Sequence, residues 1–185
     1  MADAAEAGGT GTGGTGTGGT GTHNGAGSQS GAGRDRFLAD AAARGLQVQV
    51  VERPAAKSLE EAAGILGITP ADIVKSLVVK HKDGSFLFAL IPGDRQISWP
   101  KLRNLVGVNK LSLPPADVAL DATGYERGTI TPLGSTNSWP VYADATIAGR
   151  RISMGAGAHG YSAFVDADAL TGALRAVVAD ISDPA

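Results

Sequence analysis

The stretch Ile-Val-Lys-Ser-Leu-Val-Val-Lys, residues 73–80, decides the fold of this chain. A short apolar run rich in β-branched residues predicts a strand. Successive side chains of a strand point to opposite faces, so Lys75 shares a face with Ile73, Leu77 and Val79. Lysine is rarely fully buried unless it is paired. Either Lys75 extends to water from a strand end, or it faces a pocket that takes a polar or anionic group.

The segments around this strand predict a mixture of helices and hairpins. A turn at residues 82–85 leads into a nearly all-apolar strand at residues 86–91. Further strands are predicted at 46–51, 141–143, 151–154 and 161–165, and helices at 36–44, 58–67, 100–106, 115–122 and 168–177. Hairpins outnumber strand–helix–strand crossovers, so we expect a single α+β domain with a mixed or largely antiparallel sheet.

The first 33 residues have a different composition. Three copies of Gly-Gly-Thr-Gly-Thr run from Gly8 to Thr22, and residues 1–33 contain no aromatic residue and no Val, Ile or Leu. Such a segment cannot bury enough apolar surface to offset its chain entropy. We therefore predict a disordered Gly/Thr-rich tail at 1–33 and a folded domain at 34–185, with a tether or partner site as the alternative for the tail.

Overall composition excludes several classes of protein. The formal net charge is −2, and Asp3 and Glu6 of the tail account for it, which is not the footprint of binding to nucleic acid by bulk charge. The chain has no cysteine, hence no disulfide and no thiol nucleophile. No second histidine lies at ligand spacing from His81 or His159, so we expect no metal site. The start of the chain lacks a secretory signal, no stretch predicts a membrane span, and the composition is compatible with the cytoplasm.

Two later segments add to the interpretation of Lys75. One is Thr-Gly-Tyr-Glu-Arg-Gly-Thr-Ile-Thr-Pro-Leu-Gly at 123–134, and the other is Met-Gly-Ala-Gly at 154–157. Together with Val-Lys-Ser-Leu at 74–77, their order and spacing resemble the YbaK/ProX family of aminoacyl-tRNA deacylases. That family includes the editing domain inserted in bacterial prolyl-tRNA synthetases. The resemblance extends from about residue 36 to about residue 181, and it implies a curved mixed sheet flanked by helices.

The resemblance also implies roles for individual residues. Lys75 matches the essential lysine of the family and would be catalytic. The substrate-binding positions that the resemblance implies are Gly128, Thr131, Pro132, Gly134, Asp144, Gly155, Ala156 and Gly157. Thr129 and Thr131 stand where many relatives have glycine and serine, a departure that bears on amino-acid specificity rather than on the type of reaction.

Simpler structural interpretations of the same residues remain open. The segment 128–132 is also compatible with an ordinary connecting loop, and 155–157 with a tight turn. Asp144 could pair with Lys75, cap a helix N-terminus or lie solvated at a strand end. Ser76 and Ser135 lie outside any Gly-x-Ser-x-Gly pattern, so the sequence supports no Ser/His/Asp triad.

The function that the resemblance implies is a trans-editing hydrolase of translation fidelity. It would act in the cytoplasm on the 3′ aminoacyl-adenosine end of mischarged tRNA, such as Cys-tRNA(Pro) or Ala-tRNA(Pro), with prolyl-tRNA synthetase as a further partner. No cofactor, no metal, no membrane and no DNA are implied. The alternatives are a non-catalytic module of the same fold that binds tRNA or a synthetase, and a small-molecule esterase, against which the missing triad argues.

Overall fold

A computed structural model describes the backbone of residues 25–185 and the side chains of residues 31–185. Within this range the α-helices are α1 (Gly25–Ala43), α2 (Leu59–Leu66), α3 (Trp99–Val106), α4 (Ala116–Thr123) and α5 (Ala167–Ala173). The strands are β1 (Val48–Glu52), β2 (Val74–His81), β3 (Phe86–Pro92), β4 (Arg95–Ile97), β5 (Leu111–Ser112), β6 (Val141–Asp144), β7 (Arg151–Gly155), β8 (Tyr161–Asp166), β9 (Val177–Ala179) and β10 (Ser182–Pro184). Short 3₁₀ helices lie at Pro70–Asp72 and Ala145–Ile147.

The strands form three hydrogen-bonded sheets. The largest has the order β5-β2-β3-β6-β9, in which β2 is antiparallel to both of its neighbours while β6 is parallel to β3 and β9. The second sheet, β1-β8-β7, is antiparallel throughout, and β4 and β10 form a separate antiparallel ribbon. The predicted α+β fold with a mixed, largely antiparallel arrangement of strands is therefore confirmed.

The central strand β3 is buried on both faces, and Val78 and Val79 of the neighbouring β2 are buried with it. On one face, Val78 and Phe88 pack into a core that β7, β8, α1 and α5 complete. On the other face, Val79 and Leu87 pack against Leu102 of α3. Burial on both sides explains why β3 is apolar at every position rather than alternating between apolar and polar residues.

The end of the last predicted helix differs from the structure. The helix predicted at 168–177 ends at Ala173, and Val177 already belongs to β9. The chain turns at Arg175, whose φ of +51° lies in the left-handed region. Glycine is the usual residue at such a helix end, so an arginine there gives no sequence signal for the stop.

Helix α1 begins earlier than the sequence predicts. Its first residue is Gly25 rather than Arg36, so residues 25–33 of the predicted tail are helical. Gly33 approaches Gly157 so closely that a Cβ atom at Gly33 would lie 2.1 Å from the carbonyl oxygen of Gly157. Residues 1–24, on which the rest of the tail prediction falls, lie outside the described residues. Of the helices that the structure describes, none combines the length and the apolar character needed to cross a membrane.

Helix α1 is held in place through Gly134. The Gly134 N–H donates to Asp40 Oδ2 at 2.9 Å, and Arg36 Nε donates to the Gly134 carbonyl at 3.2 Å. A Cβ atom at Gly134 would lie 2.5 Å from the carbonyl carbon of Arg36, and its φ is +70°. Only glycine combines a favourable positive φ with the absence of a Cβ atom, so this position fixes the approach of α1 to the sheet.

Substitution of Gly134 by alanine is expected to destabilise the domain far more than the same change at Gly149. Both glycines have a φ of +70°, but the space around Gly149 is open. Gly149→Ala should cost about 1 kcal/mol of backbone strain, whereas Gly134→Ala adds a clash and should cost about 3 kcal/mol. Urea unfolding of the two variants checks this, and equal losses would contradict the close packing of α1.

Candidate active site

A cavity of about 360 Å³ lies along the free edge of β2. β2 pairs with β3 along its length, but on its other side it pairs with β5 only at Lys80 and His81. Next to the unpaired part, a single bridge joins Ile73 to Ser153 of β7. The walls come from β2, α2, residues 113–119, the loop at 127–130 and the end of β7. Its size is in the range of small-molecule sites.

The structure brings three of the predicted site residues to this cavity, namely Lys75, Gly128 and Gly155. They come from the three separate motifs of the sequence. Gly128 has a φ of +92°, which a side chain would disfavour. A Cβ atom at Gly155 would lie 3.0 Å from the Ile130 carbonyl oxygen, so glycine lets β7 approach the 127–130 loop.

Lys75 lines the cavity, but its ammonium group is directed elsewhere. Nζ donates to the carbonyl oxygen of Gly93 at 3.1 Å and to that of Arg95, and neither residue lines the cavity. Burial lowers the pKa of the Lys75 ammonium below its ordinary value, and the negative charge of Asp94 opposes part of that shift. Because an ammonium has three N–H donors, one donor is left after these two bonds.

The other predicted positions of the 128–134 loop do not line this cavity. Thr131 is buried, and its hydroxyl accepts from the Leu133 N–H at 3.3 Å. Pro132 lines a second cavity together with Trp139, and Gly134 holds α1. These three residues therefore lie outside the cavity wall, whereas Gly128 and Ile130 line it.

Ala156 and Gly157 also lie outside the cavity wall. Ala156 is buried in the core between the sheets. The Gly157 N–H donates to the Thr129 carbonyl at 3.2 Å, and a Cβ atom at Gly157 would lie 2.6 Å from the Gly33 oxygen. The turn after β7 therefore ties together α1 and the 127–130 loop.

Asp144 lies away from the cavity as the N-cap of the 3₁₀ helix at 145–147. The sequence left three alternatives for Asp144, and the structure shows the one in which its side chain caps a helix N-terminus. Its carboxylate accepts from the Thr146 N–H at 3.0 Å, the Ser182 hydroxyl at 2.6 Å and the Ile181 N–H at 3.2 Å. Burial by itself raises the pKa of Asp144, but the hydrogen bonds from Ser182, Thr146 and Ile181 outweigh it and hold the pKa below its ordinary value.

Asp144 connects to Lys75 only through intermediates. Ser182, which donates to Asp144, accepts from Arg95 Nε at 2.6 Å, and the Arg95 carbonyl accepts from Lys75. This chain of hydrogen bonds crosses from β6 through β10 and β4 to β2. Asp144 thus supports the region that holds the lysine.

Several residues that line the cavity were not singled out by the sequence. Arg53 and Arg127 bring positive charge, while Leu113 and Pro114 form an apolar part of the wall. A lone arginine or leucine in a predicted loop carries no pattern from which a site could be inferred. The fold alone brings these residues together.

His159 lies beside the loop rather than in the cavity wall. Its Nε2 lies 3.0 Å from Glu126 Oε2, and both side chains are exposed. A Cβ atom at Gly128 would lie 3.6 Å from the His159 ring. Across residues 25–185, no group of three or more metal-binding side chains is present.

The fold and the cavity define an α+β domain with a cavity at a sheet edge whose lining includes Arg53, Lys75 and Arg127. The family model of the aminoacyl-tRNA editing domain matches residues 53–172. The chain belongs to this family, and the resemblance predicted from the three motifs is confirmed.

Curated relatives contain this domain within longer chains. Proline–tRNA ligases of Bacillus licheniformis and Heliobacterium modesticaldum are 33% and 34% identical to it over 101 and 116 residues. The matches cover 55% and 62% of this chain but 18% and 20% of the ligases. The chain therefore spans about a fifth of the length of these relatives.

Two solved structures match this chain over nearly their whole length. One, described as a candidate trans-editing enzyme for prolyl-tRNA synthetase, is 27% identical with a TM-score of 0.75, over 82% of this chain and 97% of that chain. Another, of a hypothetical protein, is 27% identical with a TM-score of 0.74, over 80% of this chain and 99% of that chain.

Asp144→Asn is expected to lower the free energy of unfolding by about 2 kcal/mol at pH 7, because hydrogen bonds to a buried carboxylate are strong. The pKa of Asp144 is lower in the folded than in the unfolded state, so this stabilisation is present above the ordinary value of 3.8 and is lost as the pH falls through the folded pKa. Denaturation at several pH values should show the difference from wild type shrinking below pH 4. Asp121→Asn, at an exposed carboxyl, is the control, and a pH-independent difference would contradict this account.

Ser76→Ala is expected to leave stability unchanged or to raise it by about 1 kcal/mol. The Ser76 hydroxyl is buried and has no hydrogen-bond partner among the described residues, and an unpaired buried hydroxyl is destabilising. Ser135→Ala is the matched control, because its hydroxyl is equally buried and unpaired but does not line the cavity. Thermal and urea unfolding measure both changes, and a marked loss of stability at Ser76 would reveal a hidden partner.

Proposed function

We propose that this domain is a trans-editing aminoacyl-tRNA deacylase, which hydrolyses the ester between a wrong amino acid and tRNA. The observation that carries the proposal is the cavity at the β2 edge, where Lys75, Gly128 and Gly155 from all three motifs meet in a member of the editing-domain family. Small amino acids are hard to reject by binding alone, so a second hydrolytic site corrects such errors. This activity would operate in the cytoplasm, where translation takes place.

The residues around the cavity favour catalysis by positioning and electrostatics. Arg53, Lys75 and Arg127 are its charged lining residues, and no lining residue is His, Asp or Glu. The wall therefore supplies positive charge and no side-chain base. Positive charge stabilises the oxyanion that forms when an ester carbonyl is attacked.

The reaction would use a nucleophile that the substrate or solvent supplies. Water, held by a hydrogen bond to the free hydroxyl of the terminal ribose, attacks the ester carbonyl carbon. The tetrahedral intermediate then breaks its bond to the ribose oxygen, which takes the proton that the water has lost and leaves as a hydroxyl. The products are the free amino acid and tRNA, and no metal or cofactor takes part in this scheme.

Lys75 would act on the substrate with its remaining N–H or after exchanging one carbonyl partner for a substrate oxygen. Its four-carbon side chain is flexible and carries a compact charge. Burial of the ammonium strengthens its interaction with a developing negative charge, since screening by water is reduced. The glycines would let the terminal adenosine and the ester approach the backbone of the loop and of β7.

The substrates that we propose are Cys-tRNA(Pro) and Ala-tRNA(Pro), by analogy with the prolyl-tRNA synthetase context of the similar proteins. The partners would be the aminoacyl end of these tRNAs and prolyl-tRNA synthetase. Residues that line the deep part of the cavity, Val74, Val78 and Met154, are apolar and buried, which suits a small uncharged amino acid.

One observation favours a second function. The Lys75 ammonium is bonded to two backbone carbonyls outside the cavity, and the wall has no side-chain base. Both features would suit a module that binds charged tRNA, or a synthetase, without hydrolysis.

The deciding experiment is deacylation of purified mischarged tRNAs, including Cys- and Ala-tRNA(Pro), by wild type, Lys75→Met and Lys110→Ala. Lys75→Met keeps the apolar stem and removes the charge, and it should lower kcat/KM by about 100-fold or more. Lys110, exposed and outside the cavity, is the control and should retain full activity. Circular dichroism verifies that each variant is folded.

The possible outcomes separate the two functions. Hydrolysis by wild type and by the control, but not by Lys75→Met, establishes the deacylase and identifies its substrate. Folded protein that binds these tRNAs without turnover would overturn the proposal in favour of the binding module.

A further inference from the structure

Positive charge is concentrated on the open side of the cavity. Arg127 is exposed and Arg53 is half-buried, while the residues that close the deep side, such as Val74 and Met154, are almost fully buried. The chain as a whole carries slightly more acidic than basic residues. The lining of the cavity is therefore cationic although the chain as a whole is not.

Arg53 is held in a defined orientation. Its Nε donates to the Ser162 hydroxyl at 2.8 Å, and Ser162 is a buried residue of β8. The backbone N–H of Arg53 donates to the Gly160 carbonyl at 2.8 Å, which fixes the start of the side chain. The only other bond of the guanidinium among the described residues is a long one of 3.4 Å to the Pro54 carbonyl. Several of its five N–H donors thus remain for a ligand.

Arg127 provides a second guanidinium in the wall of the same cavity. No hydrogen bond or salt bridge joins its side chain to another residue of the part of the chain that the structure describes. The neighbouring carboxylate of Glu126 is already paired with His159 at 3.0 Å. Gly128 follows directly and lines the same cavity, so Arg127 is placed at the entrance without a carboxylate partner.

We propose that Arg53 and Arg127 form a phosphate-binding subsite at the cavity entrance, which receives the phosphate on the 5′ side of the terminal nucleoside. Guanidinium groups bind phosphate oxygens through paired N–H donors, and they do so without bulk positive charge on the protein. The nucleoside then lies between the entrance and Lys75, with the amino acid towards the deep apolar side. The site thus takes phosphorylated aminoacyl nucleosides in preference to simple amino-acid esters. This inference rests on the proposed function for the identity of the ester, but the phosphate subsite can be tested by binding alone.

The binding test compares adenosine 5′-monophosphate with adenosine by isothermal titration calorimetry. Wild type should bind the nucleotide at least tenfold more tightly, and the preference should weaken as salt is raised. Arg53→Gln and Arg127→Gln keep a polar side chain that can still donate hydrogen bonds but remove the charge, so each should reduce the preference to near unity. Arg103→Ala, an arginine outside the cavity, is the matched control and should leave it unchanged.

The kinetic test uses alanyl-adenosine with and without a 5′-phosphate. Wild type should hydrolyse the phosphorylated ester with a kcat/KM about tenfold higher, mainly through KM, and the two glutamine variants should treat both esters alike. Arg53→Lys should recover part of the preference, since it restores charge without the planar guanidinium.

The two tests distinguish failure of this inference from failure of the proposed function. Hydrolysis of both esters with no preference for phosphate in either assay would overturn the subsite and leave the deacylase in place. Nucleotide binding that depends on both arginines, without hydrolysis of any ester, would support the subsite and overturn the deacylase. Glutamine variants that lose activity equally on both esters would also overturn the subsite.

Discussion

The unpaired edge of β2 is the constraint on which the site depends. Hydrogen bonds to β3 fix β2 along its length, whereas β5 covers only its last two residues. An open strand edge is usually covered by other elements. Here α2, residues 113–119 and the 127–130 loop surround the edge without filling it. The cavity lies along this unpaired edge, and for this reason consecutive residues of β2 line it.

The residues that the family motifs emphasise perform two different tasks. Gly128 and Gly155 border the cavity directly, where a side chain would obstruct the loop or β7. Gly134 and Gly157 instead allow close contact with α1. The motifs therefore contain two sets of glycines. Gly128 and Gly155 shape the cavity, and Gly134 and Gly157 allow α1 to pack against the loop that forms part of its wall.

The sequence predicts the parts of this arrangement that depend on local pattern. The strand around Lys75, the helix capped by Ser58 and the apolar strand β3 each have a periodicity or a cap that identifies them. Lys75, Gly128 and Gly155 could be proposed for one site only because the three motifs resemble a family. The ribbon of β4 with β10 had no such signal, since each strand has three residues and their pairing joins Arg95 to Pro184 across the chain. Arg53 and Arg127 escape prediction for the same reason, because tertiary packing alone makes them neighbours of the cavity.

The hydrogen bonds of Lys75 link its chemistry to the β4–β10 ribbon. The carbonyl oxygen of Arg95 accepts a hydrogen bond from the Lys75 ammonium. The Arg95 side chain in turn donates to the hydroxyl of Ser182, which is 87 residues away in the chain. A ribbon of two three-residue strands has few backbone bonds, and such units open at a lower free energy than the whole domain. Each opening withdraws the Arg95 carbonyl and frees the amine for another acceptor. Amide exchange in β10 and chemical modification of Lys75 are therefore two readouts of one local fluctuation.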